Sequence, residues 1–254
     1  MSRAHQNVVA DQFGPRAKAY VESAVHAQGE DLAALEEIVE RAAPSRAIDL
    51  GAGGGHVAYL IAKHAKSVTA LDLSSEMLAA VAATARDKGL GNIAVTQAAA
   101  ERLPFDDATF DFVASRFSAH HWRDFEQGLG EARRVAKAGS PAVFIDVFAP
   151  GRAMLDTHLQ AVELLRDGSH VRDYSAAEWL GALGRRGFLV QACRSFRLRM
   201  DFPVWIARMN TPEHRASAIL TLQASAPAEV KAHFEIEADG SFMLDVLMME
   251  TVAG

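Results

Sequence analysis

A glycine-rich segment follows one short, mostly apolar stretch of the sequence and could hold a cofactor. Gly51, Gly53, Gly54 and Gly55 come directly after Ala47–Leu50. An apolar stretch of this length is typical of a buried parallel strand, and glycines after it let the backbone turn sharply beside a ligand. The segment therefore predicts a ligand-binding turn at the end of a strand.

The spacing of these glycines narrows the class of cofactor. The dinucleotide fingerprint GxGxxG requires a third glycine where this chain has His56. A pyrophosphate would bind at the helix N-terminus in that fold, whereas a cofactor without phosphate needs only a close backbone and a polar anchor. The spacing therefore favours an adenosine cofactor without phosphate over a nicotinamide dinucleotide.

Two aspartates stand at the ends of the first two predicted strands. Asp49 lies at the tip of the first strand, and Asp72 ends the apolar stretch Val68–Leu71. A carboxylate at the second position can accept both hydroxyl groups of a ribose, and it would repel the 2′-phosphate of NADP. We expect Asp72 to bind the ribose and Asp49 to anchor the amino-acid end of the cofactor.

Strands and amphipathic helices alternate along residues 46–150. Such alternation is typical of a mostly parallel, doubly wound sheet with right-handed crossovers. The predicted strands are Ala47–Leu50, Val68–Leu71, Ile93–Thr96, Phe110–Ser115 and Pro141–Phe148, followed later by Phe188–Met200 and Phe242–Thr251.

Two helical regions, at about 152–170 and 203–232, interrupt the strand pattern after residue 150. Pro203, Pro212 and Pro227 each stand near a predicted helix start, where proline is well tolerated. Because open α/β sheets bind ligands outside the carboxyl ends of their strands, we expect these helices to form a substrate cap there. The predicted organisation is a single domain, with residues 1–45 as N-terminal helices and lid, 46–150 as the cofactor-binding core, and 151–254 as the completion of the sheet with the cap insertions.

The composition argues against several classes of protein. The formal net charge of −6 argues against a nucleic-acid partner, because affinity for nucleic acids rests on clustered Lys and Arg. The single cysteine, Cys193, excludes an internal disulfide and a cysteine-cluster metal site. No apolar run approaches the roughly 18 residues of a membrane span. We expect a cytoplasmic monomer or homodimer without a bound metal.

Five segments in order resemble a known family. Over residues 10–150 the chain is similar to class I S-adenosylmethionine (SAM)-dependent methyltransferases, in the branch of the ubiquinone/menaquinone-biosynthesis C-methyltransferases (methyltransferase type 11 kind). The resemblance implies an α/β, Rossmann-like, doubly wound, seven-stranded sheet that is mostly parallel with its last strand antiparallel. The segments are RAIDLGAGGGHVAYLIAKHAKSVTALDLSS at 46–75, AAERLPFDD at 99–107, FDFV at 110–113, HHW at 120–122 and EARRVAKAG at 131–139.

The resemblance implies SAM as the cofactor and S-adenosylhomocysteine (SAH) as its product. At the adenine edge the chain departs from the family, because Ala99 stands where many relatives carry an aspartate. The backbone N–H of Ala100 can still bond the ring, and Glu101 is a substitute acceptor, with a solvated role or pairing with Arg102 as alternatives. The other implied contacts are Asp49, Gly51, Ala52 and Gly53 at the methionine part, Asp72 at the ribose, and Leu73 and Met77 at the adenine.

His120 and His121 follow the fourth predicted strand, where a substrate could reach them. A general base is one interpretation, because histidine can abstract a proton near neutral pH, and a packing or loop-fixing pair is the other. Metal binding by the pair would need a third ligand, which no spacing in the sequence supplies. Arg116 could contact the cofactor or a substrate carbonyl, or be a buried structural arginine. Tyr20 lies in a segment that resembles the helix folded over the cofactor in relatives, and it could close the site.

Together these features predict a SAM-dependent methyltransferase that acts by in-line displacement on a small, apolar or aromatic metabolite. A nicotinamide-dependent oxidoreductase would explain the glycine turn and Asp72 but not the later segments. A SAM-binding or scaffold protein without turnover is the second alternative.

Overall fold

The predicted sheet forms, and its strands begin and end within two residues of the predicted bounds. The structure is a computed structural model that describes residues 5–14 and 29–254. Its strands are β1 (Arg46–Leu50), β2 (Ser67–Asp72), β3 (Ile93–Gln97), β4 (Phe112–Arg116), β5 (Pro141–Val147), β6 (Phe188–Met200) and β7 (Phe242–Ala253).

These seven strands form one sheet in the order β3-β2-β1-β4-β5-β7-β6. Parallel pairing joins β1 to β2 and β4, β2 to β3, and β4 to β5. The last strand, β7, runs antiparallel to both β5 and β6. The predicted fold class is thereby confirmed as a Rossmann-like α/β sheet. Because the first five strands are parallel, Leu50, Asp72 and Arg116 all emerge at one edge of the sheet.

Helices cover both faces of the sheet and bury an apolar core on each. On one face, Ile38 and Ile61 pack against strand residues such as Val68. On the other face, Leu129 and Trp179 pack against other residues of the strands. The flanking helices are α1 (His5–Phe13), α2 (Glu30–Ala42), α3 (His56–Ala62), α4 (Ser75–Asp87), α5 (Phe125–Val135) and α7 (Ala176–Arg185). The helix between α5 and α7 in the chain packs elsewhere.

A third apolar core lies beyond the carboxyl ends of β5 and β6. Val147 and Met200, at those strand ends, pack with Leu159, Trp205 and further apolar side chains. Three of the helices around this core begin next to the prolines that the sequence places near helix starts. These cap helices are α6 (Ala153–Arg166), α8 (Phe202–Met209), α9 (Glu213–Ser225) and α10 (Ala228–Phe234).

Local hydrogen bonds explain where the helix after the glycine turn ends. This helix, α3, ends at Ala62. The backbone N–H of Lys63 donates to Leu60 O at 3.3 Å, and that of His64 donates to Ile61 O at 3.0 Å, so the chain tightens into a turn. Within the described ranges, no helix is both long and apolar enough to cross a membrane.

Candidate functional site

The glycine turn is tight at one end and open at the other. The backbone N–H groups of Gly51 and Ala52 both donate to the carbonyl oxygen of Leu71, at 2.8 Å. Gly51 has φ +72°, and a Cβ atom there would lie 1.8 Å from Oγ of Ser118. At Gly53, with φ +48°, a Cβ would meet no atom within 4 Å. The turn therefore needs glycine for its packing at position 51 and leaves open space at position 53.

Asp72 connects the glycine turn to the next helix. Its Oδ2 accepts the backbone N–H of Gly53 at 2.8 Å, and its Oδ1 accepts that of Ser74 at 2.9 Å. Burial raises the pKa of Asp72, and these backbone donors oppose the rise. Because a carboxylate offers about four acceptor sites, both oxygens keep capacity for a further donor.

Asp49 caps the helix that follows the turn. Its Oδ2 accepts the N–H of Ala58, in the first turn of α3, at 3.0 Å. Burial, assisted by the negative charge of Asp72, raises the pKa of Asp49 to about 7. Asp49 is therefore poised to ionise beside a cationic ligand.

The turn and both aspartates border one cavity of about 980 Å³, including its open mouth, which we call the glycine-turn cavity. Ala99 does not line it, whereas its neighbours Ala98 and Ala100 do. Nor does His120 line it, and Tyr20 lies outside the described residues. The predicted residues that this cavity brings together are Asp49, Gly51, Ala52, Gly53, Asp72, Leu73, Met77, Ala100, Glu101, Arg116 and His121.

An ion pair forms part of the cavity wall. Nε of Arg116 donates to Oδ2 of Asp31 at 2.6 Å, and the Arg116 guanidinium stacks 4.3 Å above the Phe117 ring. Arg116 is thus both a cavity residue and a buried partner in the core. Asp31 was missed, because an acid in the first turn of a helix is common without any distant partner.

Glu101 fixes the loop before α5. Its Oε1 accepts the backbone N–H of Arg123 at 2.8 Å and that of Asp124 at 3.4 Å. These bonds, rather than the Arg102 pairing left open by the sequence, hold the carboxylate.

In the same wall, Nε1 of Trp122 donates to Oγ of Ser118 at 3.0 Å. Ser118 was also missed, because its contact with Gly51 arises only from the pairing of β1 with β4.

The first helix, α1, contributes His5, Val9 and Phe13 to the lining of the cavity. Nε2 of His5 donates to the carbonyl oxygen of His121 at 3.0 Å. The ring of Phe13 meets that of His121 edge-on, with centroids 5.0 Å apart. A lid in the N-terminal segment stays a prediction.

A second cavity, of about 580 Å³, adjoins the first beneath the cap helices, and we call it the cap cavity. Phe13, Phe117 and His121 line both cavities. The other residues of the cap cavity divide into an apolar set, Val147, Leu198, Met200, Trp205 and Leu244, and a polar set, His120, Glu163, Arg166, Asp173 and Arg208.

His120 is held as a cation at the edge of the cap cavity. Its Nδ1 donates to Oδ1 of Asp146 at 2.6 Å, and its backbone N–H donates to Oδ2 at 3.3 Å. Burial alone would lower the pKa of His120, but the charge and the hydrogen bond of Asp146 raise it to about 9. At neutral pH the imidazolium is therefore the stable form.

His121 has the opposite electrostatics. Its Nδ1 faces the carbonyl oxygen of Ser169 at 3.2 Å, so this nitrogen carries the hydrogen. Burial and the positive charge of His120 lower the pKa of His121 to about 4. His121 is neutral at physiological pH and weakly basic. Among the described residues, no group of three His, Cys, Asp or Glu side chains is placed to hold a metal ion.

The His120–Asp146 pair makes the stability of the protein depend on pH. The folded-state pKa of about 9 exceeds the unfolded value of about 6.5, so the pair stabilises the fold fully below pH 6.5 and loses this effect as pH rises through 9. The expected loss is of order 3 kcal/mol. Thermal unfolding of wild type and His120→Gln at pH 6 and pH 10 measures it. The variant should lack this part of the loss of stability between pH 6 and pH 10. An equal loss of stability in the two proteins would contradict the assignment.

The sequence profile of a family described as "Methyltransferase domain" matches residues 48–144. The protein YafE of Escherichia coli is 41% identical over 196 residues, which are 77% of this chain and 95% of YafE. A protein described as the uncharacterized methyltransferase YcgJ of Bacillus subtilis is 32% identical over 87% of this chain and 88% of its own length.

Two crystal structures are similar over nearly their whole length. That of YcgJ superposes with a TM-score of 0.83 at 30% identity, covering 87% of this chain and 97% of YcgJ. That of a putative methyltransferase from Bacillus halodurans superposes with a TM-score of 0.84 at 30% identity, covering 89% of this chain and 99% of that one. The similarity therefore covers most of the chain, well beyond the residues 48–144 that the family profile matches.

Proposed function

We propose that this chain, which belongs to the family of class I SAM-dependent methyltransferases, binds SAM in the glycine-turn cavity and transfers its methyl group to a small molecule in the cap cavity. The observation that carries this proposal is the junction of the two cavities at Phe13, Phe117 and His121. A transfer reaction needs donor and acceptor in contact and shielded from water, and adjoining cavities under a helical cap supply that arrangement.

The residues around the glycine turn fit SAM. The open space at Gly53 admits the methionine part, and Asp72 keeps acceptor capacity for the ribose hydroxyls. The buried carboxyl of Asp49 would favour a cationic amino group beside it. Leu73 and Met77 are the candidates for the adenine, with Ala98 and Ala100 in place of Ala99. When bound, SAM supplies a methyl group on a positively charged sulfur, so the chain itself needs to orient and desolvate rather than form a covalent intermediate.

The histidine pair is better suited to shaping the site than to removing a proton. His120 is already protonated at neutral pH, with Nδ1 committed to Asp146. His121 commits Nδ1 to Ser169 and has a pKa too low for an efficient base near pH 7. A catalytic role for either histidine stays a prediction, and the geometry favours the loop-fixing alternative.

The cap cavity supports an acceptor with both an apolar body and a polar group. Its apolar wall, including Met200 and Trp205, agrees with the apolar or aromatic metabolite that the sequence favours. Its polar wall, including Glu163 and Asp173, adds a charged region that the sequence pattern does not reveal. The cap helices α6 and α8 carry four of the ten residues of these two walls, and they are the candidate determinants of substrate choice.

Calorimetric titration with SAH and with NAD⁺ tests the choice of cofactor. We expect saturable binding of SAH and none of NAD⁺, since His56 occupies the third glycine position of the dinucleotide fingerprint. Binding of NAD⁺ without SAH would instead support the oxidoreductase alternative. Incubation with methyl-labelled SAM and a metabolite extract then separates an enzyme from a scaffold, because a scaffold would bind SAH and yet leave every compound unlabelled.

A further inference from the structure

We propose that the cap cavity recognises an amine, whose nitrogen is bound by the carboxyl group of Asp173 with Glu163 beside it. This inference rests on the proposed function and specifies the chemical class of its acceptor.

Asp173 is a buried acid that lines the cap cavity, and one of its two carboxyl oxygens has no donor within the part of the chain that the structure describes. Only 1% of the residue is exposed, yet it lines the cavity. Among the described residues, Oδ2 of Asp173 has no hydrogen-bond partner. Nε2 of His170 lies 3.8 Å away but donates instead to Oε1 of Gln160 at 3.0 Å. A buried carboxyl oxygen without a donor is costly, so a ligand that supplies one is favoured.

Hydrogen bonds hold the backbone of Asp173 in place, and they thereby position its side chain. Its N–H donates to Oε1 of Gln160 at 3.1 Å, and its carbonyl oxygen accepts Nε2 of Gln160 at 2.8 Å. Asp146 shows the contrast, since Oδ1 of that buried acid accepts both His120 Nδ1 at 2.6 Å and the Val147 N–H at 2.9 Å. The fold satisfies Asp146 internally and leaves Asp173 for a ligand.

Glu163 adds a second carboxyl group to the same wall. It is 7% exposed and lies 3.6 Å from Nη1 of Arg166. Arg166 also donates to the carbonyl oxygen of Trp205 at 3.2 Å and stacks over the Trp205 ring at 4.8 Å. Burial and then the charge of Glu163 raise the pKa of Asp173 well above its ordinary value.

The cations around Asp173 have partners of their own, although His120, Arg166 and Arg208 line the same cavity. His120 pairs with Asp146, and Arg172 pairs with Asp156 at 3.0 Å. His170 is neutral, because burial first and the neighbouring cations next lower its pKa to about 2. Arg208 lines the cavity and makes contacts of its own. A further buried acid nearby, Asp167, accepts a hydrogen bond from Ser169 through its Oδ1. An ammonium group supplies both the charge and the hydrogen-bond donor that Asp173 lacks.

Phenethylamine is a suitable probe, because it pairs an aromatic body with an ammonium group at pH 7.5. We expect it to bind the SAH-saturated protein and to bind about tenfold or more tightly than phenethyl alcohol of the same size. Ligand-observed NMR titration gives both affinities. Asp173→Asn should weaken the amine about tenfold or more, and Glu163→Gln should weaken it several-fold, by losing charge at constant shape. Glu229→Gln, an exposed acid of the cap helix α10, is the matched control and should change nothing.

The affinity for SAH, measured on the same samples, separates this inference from the proposed function. Absent SAH binding in the wild type would reject the proposed function itself. Normal SAH binding with no saturable amine binding, with equal binding of the alcohol, or with unchanged amine affinity in Asp173→Asn would overturn the amine assignment alone. If Asp173→Asn fails to fold, Glu163→Gln decides, and unchanged amine affinity in that variant overturns it.

Discussion

Replacing Asp31 with asparagine should lower the free energy of unfolding by about 3 kcal/mol. The substitution removes the carboxylate of Asp31, whose Oδ2 lies 2.6 Å from Nε of the buried Arg116 guanidinium in the wild type. Only 4% of the Arg116 side chain and 9% of the Asp31 side chain are exposed, so water cannot replace the lost charge. We take the lower end of the usual range for broken buried pairs, because Arg116 also stacks over Phe117.

Thermal or urea denaturation measures this loss, which corresponds to roughly 6–12 °C in melting temperature for a chain of this size. Glu30→Gln is the matched control, since Glu30 precedes Asp31 in the same first turn of α2 and is exposed. The control should stay within about 0.5 kcal/mol of the wild type. Equal melting temperatures for Asp31→Asn and Glu30→Gln would show that the pair does not hold the cavity wall.

Replacing Asp72 with alanine should weaken SAH binding by about 1–3 kcal/mol, or roughly five- to 150-fold in the dissociation constant. The substitution removes the acceptor for the ribose hydroxyls and leaves the N–H groups of Gly53 and Ser74 without their carboxylate. The turn that borders the cavity is thereby loosened at the same time.

Calorimetry with SAH measures the loss, and the melting temperature checks that the variant is folded. Asp87→Ala removes an exposed carboxylate at the end of the helix that follows Asp72, so it controls for net charge and should bind like the wild type. An unchanged affinity in folded Asp72→Ala would refute the ribose assignment.

The glycine-turn part of the site could be predicted from the sequence because its determinants are local. Gly51, Gly53 and Asp72 belong to two consecutive strand ends, and parallel pairing of β1 with β2 brings such ends together. At the adenine edge, Ala98 and Ala100 line the cavity and Ala99 does not, so a contact of Ala99 with the cofactor stays a prediction. A sequence pattern does not indicate which of two adjacent residues lines a cavity.

The cap cavity could not be predicted, because its polar groups meet only through tertiary packing. Asp146 ends β5, Glu163 lies in α6 and Asp173 lies in the loop after it, yet all three surround His120. The sequence therefore predicted an apolar or aromatic acceptor and missed the charged residues of this cavity. The sequence analysis missed the ion pair of Asp31 with Arg116 for the same reason, because the two residues are 85 positions apart in the chain.

A crystal structure of the protein with SAH tests the central claim most directly. We predict SAH in the glycine-turn cavity, with its ribose hydroxyls on the carboxylate of Asp72, its amino-acid part along Gly51–Gly53 and its sulfur toward His121 and the cap cavity. SAH bound elsewhere, or bound in this cavity with its sulfur turned away from the cap, would contradict it.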